Sequence, residues 1–218
     1  MALSREVMTG NVRFYTEADV VERAEGHLKQ AIELQSSVTG AILQLSELEA
    51  SLGERLIDPV DRSKRFQEAQ ELLKRALDLA PGKSTLYLKL AYLERDEFGS
   101  AVEQAKPVAG KDGGPLSDLN ARHALQKKYG ELIEDAITNA QRASELNSNS
   151  AKPLLLLSQI LKERALLRDT QEQYIGDMRS SEQWRLQFLA VGGMWGKRIP
   201  VWRISQPSVL RRLVWPSR

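Results

Sequence analysis

The chain of 218 residues contains no cysteine. That excludes disulfides, cysteine nucleophiles and thiolate metal sites together, and it favours a reducing, cytoplasmic setting. Histidine is almost as scarce: only His27 and His123 are present. Neither forms an i, i+4 pair with a second metal ligand, so a zinc site of the protease type is not expected. Aromatic residues are 6% of the chain, which suits helices packed through alanine and leucine better than a β-sandwich. Long apolar runs are missing as well. The longest, Leu154 to Leu157 and Phe188 to Val191, fall far short of the roughly 20 residues that span a bilayer. Near the start, Arg5 and Glu6 interrupt the stretch that a secretory signal would keep apolar.

Acidic residues are absent from Trp195 onward, where six basic residues stand: Lys197, Arg198, Arg203, Arg211, Arg212 and Arg218. With 31 basic and 29 acidic residues in all, the remainder holds 25 basic against 29 acidic. A mildly acidic body therefore carries a basic tail, and Trp195, Trp202 and Trp215 are interspersed in it. We read three regions: residues 1–15 as a flexible start, 16–193 as a helical domain, and 194–218 as the tail, expected to be poorly ordered.

No segment alternates with period two for long enough to read as a strand, so the fold class is all-α. Punctuation places the helices. The first is expected from Glu17 to Leu34 and the second from Val38 to Leu56, where Asp58-Pro59 follows. The third runs from Ser63 to Leu79 and stops at Pro81-Gly82. Ser84 caps a fourth that reaches Phe98 and kinks at Gly99-Ser100. Pro107 to Leu116, rich in glycine and proline, reads as an exposed loop. A long helix from Ser117 or Asp118 to Leu146 has a break near Tyr129-Gly130. The last starts at Lys152, accepts Pro153 in its first turn, and extends towards Ala190.

A spaced alanine pattern repeats within these helices. Ala24, Leu28 and Ala31 stand at i, i+4 and i+7; so do Ala69, Leu73 and Ala76, and Ala136, Ala140 and Ala143. Each set is followed by a turn and a second apolar stripe: Ile42, Leu45 and Leu48; Tyr87, Leu90 and Leu93; Leu154, Leu157, Ile160 and Leu161. Such self-similarity is the mark of stacked helical hairpins.

These residues resemble the tetratricopeptide repeat over about residues 16–165, most closely at Ala69, Leu73, Ala76 and Pro81, followed by Tyr87, Leu90 and Ala91. Two features depart from the family. The copies are 45 and then 67 residues apart rather than a regular spacing. Ser46, Ala91 and Ser158 replace its glycine, and Glu49, Glu94 and Leu161 replace its tyrosine. The resemblance implies a stack of antiparallel helical hairpins, an α-solenoid, with a concave face lined by the first helix of each hairpin. That face would present Leu43 and Glu47, then Leu88, Tyr92 and Arg95, then Leu155, Gln159 and Lys162 to a peptide or partner helix. The lysine and asparagine set that clamps a C-terminal carboxylate is not reproduced at Leu43-Gln44, Leu88-Lys89 or Leu155-Leu156.

The expected function is therefore protein binding, as an adaptor or scaffold, without catalysis or cofactor. The alternative site is the tail: Trp195, Lys197, Arg198, Trp202, Arg203, Arg211, Arg212 and Trp215 would suit nucleic acid or an anionic membrane surface. Steep salt dependence separates the two. Other motifs carry less. Gly82-Lys83-Ser84-Thr85 copies the end of a phosphate-binding loop, but Leu77 stands where its first glycine belongs and a helix precedes it. The pairs Glu47 with Glu49 and Glu134 with Asp135 read as solvated helix faces. His27 reads as half-exposed.

Overall fold

The computed structural model describes residues 17–35, 37–106 and 114–192. They form seven α-helices, and no strand occurs among the described residues. The helices are α1 (Glu17–Leu34), α2 (Thr39–Arg55), α3 (Pro59–Leu79), α4 (Ser84–Ala105), α5 (Leu119–Leu146), α6 (Lys152–Leu166) and α7 (Gln171–Val191). No described helix is long and apolar enough to cross a membrane. The expectations for 1–15 and the tail lie outside the described residues.

Local chemistry explains the boundaries, including those the sequence reading misplaced. Asp58-Pro59 closes α2 and also opens α3, four residues earlier than expected. Asp58 accepts hydrogen bonds from the N–H groups of Val60 (2.8 Å) and Asp61 (3.0 Å), and Pro59 occupies the first turn, where no partner for its nitrogen is needed. Asp118 caps α5 in the same way, accepting from Asn120 at 2.9 Å and Ala121 at 3.0 Å. Ser84 is not a cap: it begins α4, behind Lys83, which makes no side-chain capping bond.

Two expected breaks are absent. α4 runs on through Gly99-Ser100 because Phe98 and Val102 continue its buried stripe. α5 runs through Gly130 because Tyr129 and Ile133 do the same. One break was missed. The chain leaves α6 at Leu166 and starts α7 from a capping box, in which Thr170 Oγ1 accepts from Gln173 N (3.2 Å) and Gln173 Oε1 accepts from Thr170 N (3.3 Å). The loop expectation also needs correction at its end: Leu116 is buried, and its N–H donates to Leu166 O at 2.8 Å.

Each helix packs on the next, and α4 also packs on α6. Two apolar clusters result, and α4 serves both. Ile42, Leu45, Phe66, Leu73, Leu86 and Leu90 fill one; Phe98, Val102, Ile133, Leu156, Leu157 and Ile160 fill the other. Ala69, Ala76, Ala136, Ala140 and Ala143 are fully buried, since a methyl group lets a neighbouring helix approach closely. The first copy differs: Ala24 is exposed, and Leu28 and Ala31 are half-buried. α1 packs mainly on α2, so only one side of it is covered. His27 on the same helix is exposed rather than half-exposed.

Candidate functional site

The three helices expected to line one face are α2, α4 and α6, and cross-helix ion pairs join them. Lys89 of α4 pairs with Glu47 of α2. Arg95 of α4 reaches Glu163 of α6, with Nη2 at 2.6 Å from Oε1 and Nε at 3.1 Å from both carboxylate oxygens. Burial alone would disfavour the charge on Arg95; the bond to Glu163 outweighs it and holds the guanidinium more firmly protonated than usual. Both pairs thus spend a charge of the expected face on linking neighbouring helices.

An open cleft of about 290 Å³ lies between α2 and α4. Ala50, Leu73, Leu93 and the ring of Tyr92 give it an apolar lining. Glu47, Glu54 and Asp96 supply carboxylates, Ser46 and Ser51 supply hydroxyls, and Lys89 is the one cationic group lining it among the described residues. Neither Glu54 nor Asp96 has an ion-pair partner among the described residues, whereas Glu47 has Lys89. Asp96 is exposed at the cleft rim, yet partial desolvation by its neighbours holds it above the usual aspartate range; Arg95 opposes the rise, and Glu54 and Glu163 add smaller contributions to it. Desolvation raises the Tyr92 phenol too.

The expected face residues fall into four groups. Glu47 and Tyr92 meet in the cleft. Arg95 is held by Glu163 beyond its edge. Leu43 is half-buried against the first apolar cluster and Leu88 against the second. On α6, Leu155 and Gln159 are half-buried and Lys162 is exposed, and none of them lines the cleft. Trp195, Lys197, Arg198, Trp202, Arg203, Arg211, Arg212 and Trp215 lie outside the described residues. A second open cavity of about 340 Å³ sits among α1, α2 and α3. Its charges are mixed and partly self-satisfied, with Lys29 paired to Glu25 and Glu49 to Arg65.

Sequence reasoning missed the buried polar groups. Glu49, read as part of a solvated face, is 1% exposed and pairs with Arg65 of α3. Its counterpart Glu94 is also 1% exposed, and Asn139 Nδ2 of α5 donates to its two oxygens at 3.0 and 2.9 Å. Ser158 of α6 meets Ser181 of α7, whose hydroxyl donates to the Ser158 carbonyl at 2.7 Å. A signal was present: glutamate recurs 45 residues apart within otherwise apolar stripes.

Comparisons of the chain with protein-family models and with curated proteins find no match, so the geometry of the cleft carries the functional reading.

Proposed function

We propose that the chain is a tetratricopeptide-like binding scaffold that holds an extended peptide segment across α2 and α4. The observation that carries this reading is the convergence of Tyr92, the carboxylates of Glu54 and Asp96, which have no ion-pair partner among the described residues, and an apolar lining on one open cleft. Tyrosine suits such a place because it offers a large contact area with few rotatable bonds to freeze. Size narrows the ligand. About 290 Å³ is at or below the lower end of small-molecule sites. It fits one or two side chains of a peptide laid over the helices better than a whole helix. The packing of α4 on α6 also favours the reading, since a stack of hairpins brings their first helices together.

Selection of random displayed peptides on the full chain tests the proposal. Ser51 is an exposed residue of the cleft wall, so Ser51→Arg fills the cleft without touching the core. Selected peptides should bind the parent and lose affinity roughly tenfold or more on Ser51→Arg. Peptides that bind both proteins equally would move the site elsewhere.

A further inference from the structure

The buried carboxylates of α2 and α4 meet different partners. Glu49 of α2 is answered by the guanidinium of Arg65 on α3, a fixed positive charge. Glu94 of α4 is answered by a neutral amide: Asn139 Nδ2 of α5 stands 3.0 Å from one of its oxygens and 2.9 Å from the other. An ionised carboxylate only accepts hydrogen bonds, so both oxygens here draw on a single nitrogen. A protonated one carries a donor and an acceptor, and so does the edge of a primary amide. The acid form can therefore close two reciprocal bonds with Asn139, and it takes no charge out of water. We propose that Glu94 and Asn139 form a proton-operated catch: with the proton on, α5 is held against α4, and with the proton off, α5 loosens as a local unit.

The charged groups around Glu94 favour the proton. Lys74 of α3, an exposed side chain, relieves the carboxylate, while Asp135 of α5 and Glu97 of α4 repel it. Glu97 itself accepts from Ser63 Oγ at 3.1 Å and Gln70 Nε2 at 2.8 Å, both of α3. Arg95, next along α4, is engaged by Glu163 of α6, and Asp96 lines the α2–α4 cleft. Desolvation, the largest influence, and the two carboxylates lift the Glu94 pKa to about 7 against the opposing pull of Asn139 and Lys74.

The loosening is local because the apolar packing is divided. Leu86, Leu90 and Leu93 join the start of α4 to α2 and α3, in a cluster to which α5 contributes no residue among those described. Tyr129, Ile133 and Ile137 join α5 to Phe98 and Val102 on the later turns of α4. α5 can therefore open while the first cluster stays packed.

Hydrogen–deuterium exchange on the full chain, read by mass spectrometry and corrected for the intrinsic amide rate, tests the catch. The folded pKa is the higher one, so protection is greatest below the ordinary glutamate value and falls as pH rises towards 7. From about pH 5 to about pH 8, α5 should lose about tenfold or more of its protection, while α2 and α3 keep theirs. Glu94→Gln pairs with Asn139 without a charge and should hold α5 protected at both values. The proton itself is read in the parent chain by carboxyl ¹³C resonances of labelled glutamate, one of which should titrate near pH 7. Protection in α5 that does not change with pH overturns the proposal. So does a fall spread evenly over all helices, which would reduce Glu94 to an influence on global stability. A fall that persists in a folded Glu94→Gln chain, or glutamate carboxyls that all titrate in the ordinary range, overturns it as well.

Discussion

Glu94 is buried at the contact of α4 with α5, where the side-chain amide of Asn139 donates to both of its oxygens and no lysine or arginine is within ion-pair distance among the described residues. Desolvation lifts its pKa from the usual 4.5 to about 7; the bond to Asn139 counters this, while Asp135 of α5 adds to it. Because the folded value is the higher one, the folded chain holds this proton more tightly than the unfolded chain. The contribution of Glu94 to stability is best below about pH 4.5, falls as pH rises towards 7, and stays low above that. The difference is on the order of 3 kcal/mol. Glu94→Gln should stabilise the fold by about 1–3 kcal/mol near pH 8 and leave it nearly unchanged near pH 4.5. Denaturant unfolding at both pH values checks this; equal effects at the two would contradict it.

The fully buried alanines set the distance between helices. Ala76 has no exposed surface, and Leu73 and Leu86 belong to the same apolar cluster. Ala76→Leu adds three carbon atoms where no room exists and should cost about 1–3 kcal/mol. Thermal melts report it, and a melting temperature equal to the parent's would mean that Ala76 does not face a close crossing.

Two helical glycines should respond oppositely to alanine. A Cβ on Gly130 meets nothing within 4 Å, so Gly130→Ala only removes backbone entropy from the unfolded chain and should stabilise α5 by roughly 0.5–1 kcal/mol. A Cβ on buried Gly53 would stand 3.3 Å from Arg65 Cβ and 3.5 Å from the Arg62 carbonyl oxygen. Those atoms belong to the frame of α3, so Gly53→Ala must push two helices apart and should destabilise. Unfolding midpoints measure both, and a matching sign would contradict the close approach of α2 to α3.

Much of the architecture was legible because it depends on local pattern. The bounds of α1 agree with the structure, as do the ends of α3 and α5, since proline, glycine and polar tracts end helices by simple sterics. The register also carried across copies: Ser46, Ala91 and Ser158 are all buried, and so are Glu49, Glu94 and Leu161. What escaped was decided by tertiary contacts. Gly99 and Gly130 stay helical because Phe98, Val102, Tyr129 and Ile133 are anchored in the core on either side. The break before α7 was readable as the capping box Thr170-Gln171-Glu172-Gln173, but no proline or glycine marks it. At the candidate site, Glu47 and Tyr92 were expected only through the resemblance to the tetratricopeptide repeat, and both line the cleft. The roles of Glu54 and Asp96 could not be read in advance, because they depend on which charges lie opposite, and Lys89 and Arg95 turned out to be engaged by Glu47 and Glu163.

The most direct test of the central claim is a nuclear magnetic resonance titration of the ¹⁵N-labelled full chain with a selected peptide. If the α2–α4 cleft is the binding site, the amide shifts should cluster at Ser46, Ala50, Ser51 and Glu54 on α2 and at Lys89, Tyr92 and Asp96 on α4. Those shifts should disappear when Ser51→Arg fills the cleft. Shifts confined to α7 or to residues beyond Gly192, with α2 and α4 silent, would contradict the assignment.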